Sequence, residues 1–203
     1  MLPVIETSAT LLAATAVLAY LLGAVPFGLV MARLFGLGDI RQIGSGNIGA
    51  TNVLRTGSKP AAALTLVLDA GKGGIAVLVA RALVAEDAAQ VAGFAAFLGH
   101  CFPVYLGFKG GKGVATFLGT LLALFWPAGI AACLTWLLTA AISRISSLSA
   151  LVAAAMAPVW VSVLGMPQAG LVTALLAALI FMRHDANIRR LLKGEEPRID
   201  RKG

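Results

Sequence analysis

Side chains and backbone groups suited to phosphate binding are concentrated where residues 109–113 read Lys-Gly-Gly-Lys-Gly. This segment leads directly into an apolar stretch that predicts a helix. Glycine leaves backbone N–H groups open to a ligand, and a helix N-terminus attracts anions. With the charge of Lys112, the glycines Gly110, Gly111 and Gly113 therefore predict a phosphate loop. The alternative is that the two lysines only mark the end of a membrane helix.

A second polar segment, residues 41–59, places hydrogen-bonding side chains among glycines. Residues 44–49 fit the G-x-G-x-x-G spacing of dinucleotide-binding folds, but that fingerprint requires a preceding strand, and here an apolar helix precedes it. Arg55 can still bind a phosphate through two hydrogen bonds. An ordinary interfacial loop is the alternative. The candidate binding residues of this segment are Ser45, Gly46, Asn47, Thr51, Asn52 and Arg55.

The third polar segment, residues 183–199, contains four further candidates: His184, Asn187, Arg190 and Glu196. If this segment is helical, His184 and Asn187 share one face. A basic amphipathic helix lying on anionic lipid is the alternative, and it accounts best for the remaining arginines and lysines.

Three ionisable residues lie within or at the end of apolar stretches. Asp69 and Lys72 stand three positions apart, so we expect their charges to neutralise each other, although charge inside a membrane segment often has a function. His100 lies at a predicted helix end next to Pro103 and can be a ligand, a packed core residue or part of a hinge.

The elements that position these segments are membrane helices. The chain has 203 residues, of which 59% are hydrophobic and only 12% charged, and its mean hydropathy is +0.91. Soluble proteins carry about twice that share of charge. The composition therefore excludes a soluble enzyme, a disordered chain and a fibrous repeat, and its 23 glycines favour closely packed helices in lipid.

Apolar stretches long enough to cross a bilayer cover residues 7–32, 60–80, 88–108, 113–143 and 145–182. The last of these has room for two spans with a turn at Gly165-Met166-Pro167. The fourth is ambiguous, with Trp126-Pro127 near its middle.

The charge distribution decides the number of spans. The tail from residue 183 to 203 carries seven Lys or Arg, including Arg201 and Lys202, and these belong inside the cell. That placement requires residues 113–143 to cross twice. The sequence thus predicts an all-α integral membrane protein with seven transmembrane helices, an outside N-terminus and a cytoplasmic C-terminus. It forms one domain over residues 1–203, with all three polar segments at the cytoplasmic face.

Several classes of chemistry lack the residues they need. No pair of carboxylates is placed for a divalent metal, so we expect no metal and no cofactor. No serine stands in a G-x-S-x-G elbow, and no His-x4-Asp pattern occurs. No nucleic-acid-binding module is visible, so we expect no nucleic-acid partner.

Taken together, the three segments resemble the PlsY-type acyl-phosphate:glycerol-3-phosphate acyltransferases of bacterial membranes, and the resemblance covers nearly the whole chain. Residues 44–52 with Arg55 match the first motif of the family. Gly99-His100, Pro103, Phe108 and residues 110–116, including Thr116, match the second. His184, Asn187-Ile188, Arg190-Leu191, Gly194 and Glu196 match the third.

The resemblance implies acyl transfer from acyl phosphate to the 1-hydroxyl of glycerol 3-phosphate in the bacterial inner membrane, as the first acylation step of phospholipid synthesis. His184, Asn187 and Lys112 would act in catalysis, and the other matched polar and glycine residues would bind substrate. The general base is either His184 or a phosphate oxygen of the substrate, which the resemblance favours. The implied partners are membrane lipid and a soluble enzyme that makes acyl phosphate.

Two other functions use the same phosphate-binding segments. A transporter of small anions or phosphate esters would bind its substrate without chemistry, but no internal repeat is visible and the polar segments share one face. A transferase with a different acyl donor is the other alternative.

Overall fold

The computed structural model describes residues 4–199, and over that range it contains helices, turns and loops but no strand. The prediction of an all-helical fold is therefore confirmed for this part of the chain. Contacts divide the chain into two compact units, one formed by Ile5–Leu124 and the other beginning at Phe125. That the whole chain acts as one domain stays a prediction. Arg201 and Lys202 of the basic tail lie outside the described residues.

The first unit is built around a long helix whose neighbours include two short ones. Its helices are α1 (Ala9–Gly23), α2 (Phe27–Leu34), α3 (Ala50–Leu54), α4 (Lys59–Leu83), α5 (Glu86–Cys101) and α6 (Val114–Leu124). Pro26 lies at the break between α1 and α2, where its ring and missing N–H prevent a continuous helix. Single 3-10 turns at Ile40–Gln42 and Val104–Leu106 lie in the loops before α3 and α6.

Small residues allow the helices of this unit to approach closely. Gly119 of α6 faces the backbone of Ala70 on α4, and Gly23 of α1 faces the backbone of Ala96 on α5. A Cβ atom at either glycine would overlap a carbonyl group of the neighbouring helix. This is the packing by small residues that the glycine content predicts for helices in lipid.

Arg81, in the last turn of α4, closes the C-terminal end of α6. Its guanidinium donates hydrogen bonds to the carbonyls of Ala123, at 2.5 Å, and Leu124, at 2.8 Å. It also pairs with Glu86 at 2.6 Å. Because the last carbonyls of a helix have no partner within it, these bonds favour the end of α6 at Leu124.

The second unit stacks consecutive helices joined by short turns. They are α7 (Trp126–Ser143), α8 (Ser146–Val163), α9 (Gly170–Arg183) and α10 (Asp185–Leu192). α8 packs against both α7 and α9. The turn predicted at residues 165–167 is present, with Gly165 at a φ of +112° that favours glycine. Residues 113–143 also divide, because α6 ends at Leu124 and α7 begins at Trp126 with Pro127 in its first turn.

Within residues 4–199, five helical segments are long and apolar enough to cross a membrane. They are Ala9–Leu34, Lys59–Leu83, Glu86–Leu106, Trp126–Ser143 and Ser146–Val163. A sixth is obtained if Pro167–Arg183 and Asp185–Leu192, which bend by 65°, count as one span. α6 has 11 residues, so it rises only about 16 Å. The chain is thus a multi-pass membrane protein, and both the seven crossings and the orientation of the termini stay predictions.

Candidate active site

Asn52 organises the first polar segment. Its side chain is almost fully buried and donates a 2.6 Å hydrogen bond from Nδ2 to the carbonyl of Ile40. Its Oδ1 accepts from the backbone N–H of Ser45 at 3.2 Å and from Nη1 of Arg55 at 3.4 Å. One buried amide therefore fixes two exposed candidates, Ser45 and Arg55, on the same side of the loop.

Glycine at position 44 is required by this arrangement. Its φ is +54°, and a Cβ atom there would lie 2.6 Å from Oδ1 of Asn52 and 2.5 Å from Nη1 of Arg55. Gly46 also has a positive φ, +66°, and both glycines are exposed. Asn47 accepts a 2.9 Å hydrogen bond from the N–H of Ile48, and Thr51 is exposed on α3. The segment thus presents its backbone and polar groups at the surface of the first unit.

An apolar cluster holds this loop on the helices. Ile40 and Val53 are fully buried and lie in one cluster with Met31 of α2 and Ala61 of α4. The loop is therefore anchored on both sides of the exposed glycines. Such anchoring reduces the conformational entropy that ligand binding must still remove.

The second polar segment folds back onto the end of α5. The N–H of Gly110 donates to the carbonyl of Cys101 at 3.2 Å, and the N–H of Gly111 donates to the carbonyl of His100 at 3.1 Å. Residues 110–113, called here the glycine loop, thereby occupy carbonyls that the end of a helix leaves without an intrahelical partner. The loop leads into α6, whose first hydrogen bond runs from Phe117 to Gly113.

Glycine is required at three positions of the glycine loop. A Cβ atom would overlap the carbonyl of His100 from Gly110, the imidazole of His100 from Gly111, and the ring of Phe97 from Gly113. Gly113 also has a φ of +82°. Close packing against α5 thus accounts for all three glycines, and it holds the backbone at the N-terminus of α6 in one position.

The remaining candidates of this segment differ in exposure. Lys112 is half-buried within the glycine loop, whereas Lys109 before it is exposed. Thr116 is fully buried, and its hydroxyl donates a 2.8 Å hydrogen bond to the carbonyl of Asp69 on α4. Lys112 therefore remains the candidate for phosphate binding. The hydroxyl of Thr116 instead joins α6 to α4.

Three buried ionisable side chains lie behind the glycine loop. Asp69 and Lys72 pair at 2.9 Å, as their spacing predicts, and Nδ1 of His100 lies 3.5 Å from Oδ1 of Asp69. The link between Asp69 and His100 was not predicted, because the two residues stand 31 positions apart on different helices. The one sequence signal for it was charge inside an apolar stretch.

His184 stands at the bend between α9 and α10 in the second unit. The side chain is buried, and its Nδ1 lies 2.8 Å from the carbonyl oxygen of Ile180. A carbonyl can only accept a hydrogen bond, so Nδ1 carries the proton in this contact. In the neutral ring, Nε2 then has the lone pair that a base or a hydrogen-bond acceptor needs.

Glu196 connects the candidates of the third segment. Its Oε1 accepts from Nδ2 of Asn187 at 2.5 Å and from the hydroxyl of Ser147 on α8 at 2.7 Å. Its Oε2 accepts from Nε of Arg190 at 2.7 Å. Burial alone would raise the pKa of Glu196, but these three hydrogen bonds together hold the pKa below its ordinary value. Glu196 is therefore ionised, and its carboxylate holds the side chains of Asn187 and Arg190 in place. Its third partner, Ser147, was not predicted from the sequence.

No group of three or more His, Cys, Asp or Glu side chains within residues 4–199 is arranged to hold a metal ion. The expectation of chemistry without metal or cofactor stays a prediction.

Comparison with known proteins identifies relatives of this chain. A family model described as glycerol-3-phosphate acyltransferase matches residues 13–194. A glycerol-3-phosphate acyltransferase of Jannaschia sp. (strain CCS1) is 72% identical over 199 residues, covering 98% of each chain. One from Cereibacter sphaeroides is 65% identical over 201 residues, covering 99% of this chain and 96% of that protein.

Two crystal structures of PlsY (YgiH), an integral membrane glycerol 3-phosphate acyltransferase, have a similar fold. The glycerol 3-phosphate form matches with a TM-score of 0.87 at 40% identity. The lysophosphatidic acid form matches with a TM-score of 0.84 at 38% identity. Each covers 92% of this chain and 94% of the solved one.

Proposed function

Because the chain belongs to the glycerol-3-phosphate acyltransferase family, we propose that it transfers a fatty acyl group from acyl phosphate to the 1-hydroxyl of sn-glycerol 3-phosphate. The hydroxyl oxygen forms a bond with the acyl carbon, and the bond from that carbon to the phosphate oxygen breaks. The products are lysophosphatidate and inorganic phosphate, and the hydroxyl proton leaves on the phosphate.

The glycine loop is the observation that carries the proposal. Both substrates bear a phosphate group, so the enzyme must bind two anions at once. The N–H groups of Gly110 and Gly111 hold the loop on α5. The loop thereby places Lys112 beside the N-terminus of α6, where the N–H groups of the first turn have no partner within the helix and the helix dipole also favours an anion. The first polar segment offers a second anion site at Ser45, Gly46, Asn47, Thr51 and Arg55, and the buried Asn52 holds Ser45 and Arg55 in place.

The donor already contains a good leaving group, so the reaction does not need a nucleophile from the protein. Holding a mixed anhydride and an alcohol in line provides much of the rate acceleration through orientation alone. Lys112 and backbone N–H groups would stabilise the charge that develops on the acyl oxygen and on the departing phosphate.

In the second unit, Arg190 supplies a further charge for phosphate, and Asn187 is the candidate for the oxyanion. Glu196 acts on both through the hydrogen bonds described above. A phosphate oxygen of the substrate takes the hydroxyl proton, and His184 accepts a hydrogen bond that orients the substrate. Thr116 contributes through its contact with α4.

The expected setting is the bacterial inner membrane, with catalysis at the cytoplasmic face. The charge distribution supports this orientation, because the basic residues and the polar segments are predicted on the same side. A soluble enzyme that makes acyl phosphate is the expected supplier of the donor, and membrane lipid holds the acyl chain.

Phosphate release tests the proposal. Purified protein in detergent is mixed with palmitoyl phosphate, with and without glycerol 3-phosphate, and with no added metal or coenzyme A. We expect release that requires glycerol 3-phosphate and equals lysophosphatidate formation one to one. Palmitoyl-coenzyme A and palmitoyl-acyl carrier protein serve as control donors. Activity with either control donor but none with palmitoyl phosphate would overturn the proposed donor.

A further inference from the structure

Asp69 and Lys72 form an ion pair that is almost completely buried. Their charged atoms lie 2.9 Å apart, and their side chains are 3% and 1% exposed. Burying two charges carries a large desolvation cost, and apolar residues of similar size often stabilise a fold equally well or better. The pair therefore calls for an explanation other than stability.

The carboxylate of Asp69 faces the histidine that supports the glycine loop. Nδ1 of His100 lies 3.5 Å from Oδ1 of Asp69. The opposite edge of the same ring, at Nε2, packs against Gly111 so closely that no Cβ atom fits. The imidazole is thus enclosed between the carboxylate and the glycine loop, and a rotation of the ring would displace the loop.

The backbone of Asp69 also holds the other end of the loop. Its carbonyl accepts the hydroxyl of Thr116, which lies in the first turn of α6, directly after the glycine loop. One residue of α4 therefore contacts the chain on both sides of the loop, through His100 before it and through Thr116 after it.

Lys72 fixes the pair to the break between α1 and α2. Its Nζ donates a 2.9 Å hydrogen bond to the carbonyl of Val25 and lies 5.6 Å from the centre of the Phe27 ring. Pro26 lies between these two residues, where the helix is interrupted. Lys72 is thus held beside Asp69 by groups on two segments.

From these contacts we infer that Asp69 is a positioning residue for acyl transfer. Its carboxylate orients His100, and through that ring it sets the conformation in which the glycine loop binds phosphate, with Lys72 as its counter-ion. This inference rests on the proposed role of the glycine loop. It predicts that the charge pair affects substrate affinity beyond any effect on stability.

The double variant Asp69→Leu/Lys72→Met separates the two effects. It removes both charges and leaves no charge unpaired, so we expect it to fold with a melting temperature close to that of the wild type. We expect KM for glycerol 3-phosphate or palmitoyl phosphate to rise about tenfold or more, because a displaced loop loses binding energy. A purely structural defect would lower the active fraction, which reduces kcat and leaves KM unchanged.

His100→Gln should produce the same rise in KM, and adding it to the double variant should produce no further rise. Glu86→Gln is the matched control. It removes the negative charge of the Arg81–Glu86 pair, which joins the C-terminal end of α4 to the N-terminal end of α5. This pair does not touch the glycine loop, which contacts the C-terminal end of α5. We expect wild-type KM values for this control.

Wild-type KM values for both substrates in the folded double variant would overturn the inference. If the double variant does not fold, unchanged KM values in His100→Gln would overturn it equally. The thermal shift caused by glycerol 3-phosphate or inorganic phosphate gives a readout that does not depend on the donor. If the wild type releases no phosphate but shows such a shift, the proposed donor fails, and loss of the shift in the variants still tests the role of Asp69.

Discussion

At the scale of single residues, the two lysines beside the glycine loop differ in their surroundings. Lys112 is half-buried in the loop, and Lys109 is exposed before it. We expect Lys112→Ala to lower kcat/KM by about 100-fold or more, because it removes the positive charge proposed to bind phosphate. Lys109→Ala, measured in the same phosphate-release assay, should stay within about twofold of the wild type. Equal losses in the two variants would contradict the assignment.

His184→Gln distinguishes between the two candidates for the general base. Glutamine keeps a hydrogen-bonding group near the position of the ring nitrogen but cannot act as a base near neutral pH. If a phosphate oxygen of the substrate takes the proton, the variant should keep most of kcat and show a higher KM for glycerol 3-phosphate. A collapse of kcat at unchanged KM would identify His184 as the base.

Glu196 gives the third segment a defined pH dependence. Its pKa in the folded state is held below the unfolded value, so its stabilising contribution is complete above the unfolded pKa. That contribution is lost as pH falls through the folded pKa. We expect Glu196→Gln to lower the melting temperature at pH 7 and to reduce the decline of melting temperature toward pH 3. Glu195→Gln, at the exposed neighbouring position, should behave like the wild type.

The sequence indicated which residues take part in the first and third segments, but it did not indicate how they contact one another. Ser45, Asn52 and Arg55 were equivalent candidates, and only the structure shows Asn52 buried beneath the other two. Ser147 and Glu196 stand 49 positions apart, so no local spacing could indicate their hydrogen bond.

At the scale of helices, two glycines of α4 provide a matched pair. A Cβ atom at Gly73 would lie 2.7 Å from the carbonyl oxygen of Thr116 and 2.5 Å from Oγ1 of Thr120, whereas one at Gly71 would meet nothing within 4 Å. Gly73→Ala should therefore force α4 and α6 apart and cost about 1–3 kcal/mol. Gly71→Ala should stabilise the helix by about 0.5–1 kcal/mol. Melting temperatures that fall in both variants would contradict this account of the α4–α6 contact.

Breaks between helices were easier to predict than helix ends. The breaks at Trp126-Pro127 and at residues 165–167 carry local signals, namely proline in a first turn and glycine at a positive φ. Proline marks the break between α6 and α7, but no local pattern indicates the contact of Arg81 with the last carbonyls of α6, because Arg81 lies on α4, 42 positions before Ala123. This contact between distant parts of the chain could therefore not be predicted from the sequence.

At the scale of the whole molecule, the predicted topology can be tested with fusions. Since the basic residues favour the inner side, a fluorescent protein fused to the C-terminus should fluoresce, and alkaline phosphatase fused there should be inactive. Truncated fusions after Ala85, between α4 and α5, where the seven-helix topology predicts the outer side, should show the reverse. With the N-terminus outside, as predicted, active alkaline phosphatase at the C-terminus would mean an even number of crossings. In that case, the charge argument for residues 113–143 would be wrong.

The hydrogen bond between Lys72 and Val25 has a consequence for how the chain enters the membrane. A segment that carries two charges is costly to insert, and α4 carries both Asp69 and Lys72. Within the isolated helix the two can already pair at i and i+3. The second partner of Lys72, the carbonyl of Val25, belongs to a segment that is synthesised before α4. The hydrogen-bond acceptor, the carbonyl of Val25, is thus synthesised before Lys72, the charged residue that donates to it.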